Sequence, residues 1–163
     1  MQSGPAADNN RIKIETPLWI WLALGLVCLA AALVRLHLLD VPFERDEGEY
    51  AYAGQLILQG VPPFALVYNM KLPGIYAAYA LIMSVFGETI IGVRLGLLLI
   101  NALTTLFFFL AFRRRLGSMV AFWGAAFFAV ISLNPSVQGF MANAEHFVLV
   151  FAAAALWMLL RGL

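Results

Sequence analysis

Charge is scarce in this chain. Only 12% of its 163 residues are Asp, Glu, Lys or Arg, about half the roughly 25% of a soluble domain. Hydrophobic residues make up 63%, and the mean hydropathy is +0.89. That leaves too little polar surface to cover a core in water, so lipid must cover much of the protein. The net charge of +1 gives no basic footprint for nucleic acid. Cysteine is almost missing too. The single Cys28 lies inside an apolar run, which excludes an internal disulfide framework and a cysteine-rich metal site. No internal repeat and no low-complexity segment stands out from the general apolar bias.

What the chain has instead is long apolar runs. Residues 1–16, which include Arg11 and Lys13, read as a short solvated cytoplasmic tail. Leu18–Val34 follows without a charged residue. A signal peptide has a similar layout, but its apolar core is shorter and ends at a small-residue cleavage site. Here Arg35-Leu36-His37-Leu38-Leu39 comes next, which favours an uncleaved anchor. Four more apolar segments are Leu72–Phe86, Leu95–Phe112 (extended outward by Ile90–Val93), Leu116–Leu133, and Phe147–Leu160 (extended outward by Met141–His146). Crossing a bilayer takes about 20 residues, with roughly 17 as the lower limit. Leu72–Phe86 is therefore the weakest candidate.

Sidedness decides which segments cross. Positive residues beside helix ends favour the cytoplasm, and here they cluster at Arg11/Lys13, Arg113-Arg114-Arg115 and Arg161. Five crossings would turn the triple arginine outward. Four crossings, with Leu72–Phe86 lying at the interface or re-entering, put all three clusters inside. The predicted fold is all-α, a polytopic transmembrane bundle with about four crossings plus extracytoplasmic juxtamembrane helices. One module fills residues 17–163, with spans at about 17–39, 90–112, 116–133 and 144–160 and interfacial helices at about 47–59 and 72–86. The predicted location is the cell (inner) membrane, multi-pass. The loops Asp40–Lys71 and Asn134–Glu145 then open together on the extracytoplasmic side.

The first of those loops carries Glu44, Asp46, Glu47 and Glu49, four of the chain's nine acids. A structural explanation exists: Asp46 suits an N-cap, and Glu49 three residues later completes a capping box. Acids in a first turn also complement the helix dipole. Beyond it, Val61-Pro62-Pro63-Phe64 breaks the helix, and Lys71-Leu72-Pro73-Gly74 leads into the next. Lys71 either snorkels to the headgroups or holds an anionic phosphate. Arg94, near the outer end of its span, carries the same two readings. On the second loop Asn143 could cap the last helix with Glu145 in its first turn, while Glu145-His146 is a weak metal signal. His37 is expected at the interface. Phe107-Phe108-Phe109, Trp19 and Trp21 read as lipid-facing bulk or interfacial belt.

Taken in order, Asp46-Glu47-Gly48-Glu49-Tyr50-Ala51, Gly60 with its proline-rich stretch, Lys71-Leu72-Pro73-Gly74-Ile75-Tyr76, Phe86-Gly87-Glu88 and Val93-Arg94-Leu95 resemble the N-terminal part of a GT-C type glycosyltransferase. The likeness is to the protein O-mannosyltransferase and aminoarabinose lipid A transferase group, and it runs from about Leu36 to Leu160. It implies a polytopic enzyme using a polyprenyl-phosphate sugar donor at its extracytoplasmic face, with transfer to a lipid, glycan or protein acceptor. By that resemblance Asp46 matches the catalytic acid, Glu47 its neighbour, and Lys71 a residue near the lipid phosphate. Glu145 falls where the group often carries a second acid, usually Asp. Lys71 or Arg94 would stabilise the departing phosphate. The group's Lys-Pro-Pro is here Lys71-Leu72-Pro73. No resident cofactor is implied beyond the lipid-linked donor, and a divalent metal stays open. The expected partners are the bilayer, the donor and a missing C-terminal part, because the group has more spans. This predicts a truncated enzyme and leaves its activity alone open. Two rival readings are a transporter component, disfavoured because no span carries an acid at its centre, and a non-catalytic membrane subunit.

Overall fold

The computed structural model describes residues 15–162, so the predicted tail lies almost wholly outside the described residues, Arg11 and Lys13 included. Six α-helices follow one another: α1 (Leu18–Leu36), α2 (Arg45–Leu58), α3 (Gly74–Phe86), α4 (Ile90–Phe112), α5 (Ser118–Ile131) and α6 (Ala144–Gly162). A single 3-10 turn, Pro135–Val137, sits between α5 and α6. No strand occurs among the described residues. The protein is an all-helical, multi-pass membrane bundle.

Three helices, α1, α4 and α6, are long and apolar enough to cross a membrane unaided. Helix α5 is shorter than the predicted 116–133 span. Its 14 residues rise about 21 Å, against a hydrocarbon core of about 30 Å. Hydrogen bonds at its two ends show how it matches its neighbours. Ser118 Oγ lies 3.1 Å from Thr16 Oγ1 at the start of α1. At the far end, Arg35 in the last turn of α1 donates to Ser132 O at 2.7 Å. Helix α5 thus runs parallel to α1, with the turn residues at each end making up the missing length. Polar glue of this kind suits helices whose apolar faces gain little from leaving lipid.

The remaining directions follow from packing. Ile20 and Leu24 of α1 share a buried cluster with Phe109 of α4 and with Ala121, Phe122 and Ala125 of α5. Arg113, just past α4, donates to Thr16 Oγ1 at 3.3 Å. Helix α4 is therefore antiparallel to α1 and α5. Phe107 and Trp157 stack with centroids 5.7 Å apart, which sets the C-terminal half of α6 beside that of α4. Arg113-Arg114-Arg115 and Arg161 consequently gather at one end, hereafter the basic end. The acidic residues of both connecting loops lie at the other. The sidedness argument asks for this arrangement. One expectation fails: Phe109 is fully buried and packs edge-on against Trp21 at 5.0 Å, so neither is simply lipid-facing. The small Ala faces of α5 leave room there for large rings.

Helix α3 stays at the acidic end. Its buried residues Ile75, Tyr76, Tyr79, Ile82 and Met83 join Tyr50 of α2, Val93 and Leu97 of α4, and Phe147 of α6 in the second cluster. Two small residues permit this. Gly96 faces Ile82, and Gly92 faces the carbonyls of Phe86 and Gly87, where a Cβ would collide with backbone. The α3–α4 hairpin can close this tightly only with glycine at position 92.

Candidate catalytic face

Helix α2 starts two residues earlier than predicted, and the shift changes which acid does what. The N-cap is Glu44, not Asp46. Its carboxylate accepts from Asp46 N at 2.9 Å, and Glu47 Oε2 accepts from Glu44 N at 3.1 Å, closing the capping box. The pairs Glu44/Glu47 and Asp46/Glu49 have the same spacing, and the first pair takes the job. Asp46 is left with a partly open side chain, 30% exposed, whose one ionic partner among the described residues is its exposed neighbour Arg45 at 3.3 Å.

Glu47 points the other way, into the bundle. Its side chain is inaccessible to solvent, and it forms a two-pronged ion pair with Arg94, one prong from Nη1 to Oε1 and the other from Nη2 to Oε2 at 2.9 Å. The amide of Ala142 donates to the same Oε1, so with the Glu44 amide the carboxylate accepts four hydrogen bonds. Arg94 spends its remaining reach on backbone: Phe140 O at 2.6 Å and Val41 O at 3.3 Å. Phe43 lies over its guanidinium, 5.9 Å from the ring centroid. Arg94 was expected to face a donor phosphate and Glu47 to work beside Asp46. In this geometry the Glu47 carboxylate and both terminal nitrogens of Arg94 are engaged by each other and by main chain. A buried charge is tolerable only with such partners.

Asp46, Lys71 and Glu145, expected at the reacting end, all lie at the acidic end of the bundle. The nearby Tyr50 oxygen, and then the charges of Glu145 and Asp46, raise the Lys71 pKa above the ordinary lysine value. Burial raises the Tyr50 pKa, Lys71 opposes the shift, and Asp46 and Glu145 add to it. Asp46, Tyr50, Lys71 and Glu145 therefore share one electrostatic neighbourhood built from α2, the α2–α3 loop and the start of α6. Tyr50 was not singled out from the sequence as a site residue. Its signal was position: four residues after Asp46 on a helix, it shares the same face.

The loop before α3 is fixed by Glu49, which accepts from Asn69 Nδ2 at 2.5 Å and from the Tyr76 hydroxyl at 3.4 Å. This ties the chain down two residues ahead of Lys71. Across the site, Tyr79 donates to Ala142 O at 2.8 Å, with burial keeping its hydroxyl protonated. The Ala142 peptide is thus gripped from both sides, by Glu47 and Tyr79. Asn143 does not cap α6 through its side chain: its Nδ2 donates to Gln138 Oε1 at 2.8 Å. Among the described residues, no three His, Cys, Asp or Glu side chains gather as they would around a metal ion.

A family model described as dolichyl-phosphate-mannose-protein mannosyltransferase matches residues 70–163. The match takes in Lys71, Arg94 and Glu145 and begins after the acidic turn at Asp46. No curated protein and no solved structure matches the chain. With more than half of its length matched, and with the helical membrane bundle that the resemblance implies, this chain belongs to the dolichyl-phosphate-mannose-protein mannosyltransferase family and is a glycosyltransferase of the mannosyltransferase type.

Proposed function

We propose that the acidic end is the extracytoplasmic catalytic face of an enzyme that takes a sugar from a polyprenyl-phosphate donor. The observation that carries this reading is the position of Asp46. Freed from capping by Glu44, it keeps an open carboxylate in the same electrostatic neighbourhood as the Lys71 ammonium.

In the proposed reaction an acceptor hydroxyl attacks the anomeric carbon of the donor. Asp46 takes the hydroxyl proton as the new carbon–oxygen bond forms. The bond from the anomeric carbon to the phosphate oxygen breaks, and its electron pair leaves with the polyprenyl phosphate. Lys71 neutralises the developing charge on that phosphate. Glu145 is the second acid of the face. Glu47 and Arg94 act as positioning residues: they set the start of α2, and hence Asp46, against the loop that leads into α6 and Glu145. The acceptor is a lipid, glycan or protein hydroxyl. The bilayer supplies the donor's polyprenyl chain laterally, and the predicted location is the cell (inner) membrane.

Attack opposite the phosphate inverts the anomeric centre. The test is the stereochemistry of the product formed from polyprenyl phosphomannose of defined anomer, read by NMR. A product of opposite anomer supports direct displacement with Asp46 as base. Retention would exclude a direct in-line displacement and would overturn this reading.

A further inference from the structure

The connection from α5 to α6, residues 134–143, is fastened far more heavily than a surface loop requires. Arg35 of α1 donates to Gly139 O at 2.8 Å and to Ser132 O at 2.7 Å. Arg94 of α4 donates to Phe140 O at 2.6 Å. Glu47 of α2 accepts the Ala142 amide, and Tyr79 of α3 donates to Ala142 O at 2.8 Å. Four helices thus each commit a buried polar side chain to one short segment. Gly139 lies so close to the Ser132 carbonyl that no side chain fits there. Gln138 takes a left-handed φ of +51°, a conformation that a non-glycine residue holds only when its surroundings impose it.

The clamped loop shapes a groove of about 320 Å3 lined by Ser136, Val137, Gln138, Asn143, Glu145 and His146. That volume falls at the lower end of small-molecule sites, roughly 300–1,000 Å3. One atom in its wall is unexplained. Asn143 is only 8% exposed, and while its Nδ2 is satisfied by Gln138, its Oδ1 has no hydrogen-bond partner. A buried amide oxygen left without a donor is costly, and such an orphan calls for a reason, an absent ligand among them.

The lining indicates what the ligand is. It offers a hydroxyl, two amides, an imidazole and one carboxylate, with no lysine or arginine. Such a surface accepts hydrogen bonds from ligand hydroxyls and lacks the cations that hold a phosphate. We propose that this groove binds a neutral sugar ring, with Asn143 Oδ1 and the Glu145 carboxylate accepting its hydroxyls. This inference rests on the reading of the chain as a sugar transferase. The ring belongs either to the donor or to a glycan acceptor.

The test uses the protein in lipid nanodiscs and methyl α-mannoside as the probe, with binding read by saturation-transfer NMR. Wild type binds at millimolar concentrations. Asn143→Leu, similar in size but lacking the amide, weakens binding by about tenfold, the effect of one hydrogen bond to a buried group. Glu145→Ala changes only an exposed side chain and weakens it comparably, which keeps the test decisive should the core variant misfold. Asp46→Asn binds the mannoside as wild type does, whatever its effect on transfer, so failure of the groove and failure of the catalytic reading are seen separately. Displacement of the mannoside by polyprenyl phosphomannose but not by polyprenyl phosphate marks the donor's ring. Simultaneous occupancy marks an acceptor glycan. Absence of mannoside binding to wild type, or equal binding by both groove variants, would overturn the proposal.

Discussion

Glu47 and Arg94 stand 47 residues apart in sequence and meet as a two-pronged ion pair, with side chains 0% and 4% exposed. The pair is the point where α2, α4 and the α5–α6 loop join, because the same two side chains also bind the main chain of Val41, Glu44, Phe140 and Ala142.

Breaking one side of such a pair strands a buried charge, at a cost of about 3–5 kcal/mol. Glu47→Gln is therefore expected to lower thermal stability in detergent by roughly that amount. The double variant Glu47→Leu with Arg94→Met should lie well above the sum of the two single losses, because neither charge is left alone. Additive losses would contradict the pairing.

Capping and catalysis are assigned to different acids, and a pair of variants separates them. Glu44→Ala should destabilise the protein by about 0.5–2 kcal/mol, as losing a helix cap does. Asp46→Asn should stay within about 0.5 kcal/mol of wild type, as a surface change does. The reverse order in a thermal unfolding series would return the cap to Asp46.

The pKa shifts give a sign for pH dependence. The nearby Tyr50 oxygen, and then the charges of Glu145 and Asp46, raise Lys71 above the ordinary lysine value, which is about 10.4. A raised pKa means that the charged form persists as pH rises. Affinity for a polyprenyl phosphodiester, whose own charge does not titrate in this range, should hold level from neutral pH to about 10 and fall only above the ordinary lysine pKa. Lys71→Ala should weaken donor binding about tenfold or more. A decline centred near neutrality, or an unaffected Lys71→Ala, would remove Lys71 from the phosphate.

Orientation can be read by labelling single cysteines in a Cys28→Ser background with a membrane-impermeant maleimide. Met70, 93% exposed at the acidic end, should label as Met70→Cys in intact cells. Arg114→Cys, at the basic end, should label only after permeabilisation. The opposite pattern would put the acidic end inside.

The sequence revealed its helices through length and charge and its polar contacts hardly at all. The apolar runs that became α1, α4 and α6 were legible because a bilayer demands them, and the arginine clusters were enough to hold α3 at one end. The start of α2 is ambiguous in the sequence because Glu44/Glu47 and Asp46/Glu49 offer the same three-residue spacing, and aspartate is the better cap in isolation. What decided it was Arg94, distant in sequence, drawing Glu47 inward. Nothing local to Arg94 announces that partner. The grip on Ala142 by Glu47 and Tyr79 likewise depends on α2 and α3 folding against α4, which no pattern along the chain encodes. Family likeness gives Asp46, Lys71 and Glu145 their expected roles, and Tyr50 goes unmarked because a tyrosine beside a membrane is ordinary.

The most direct measurement is mannosyl transfer from polyprenyl phosphomannose by membranes carrying wild-type protein or Asp46→Asn. A general base contributes about 10²–10⁴-fold to rate. The account predicts a loss of that size in Asp46→Asn, with donor binding and thermal stability held at wild-type levels. Transfer by Asp46→Asn at close to the wild-type rate would contradict it.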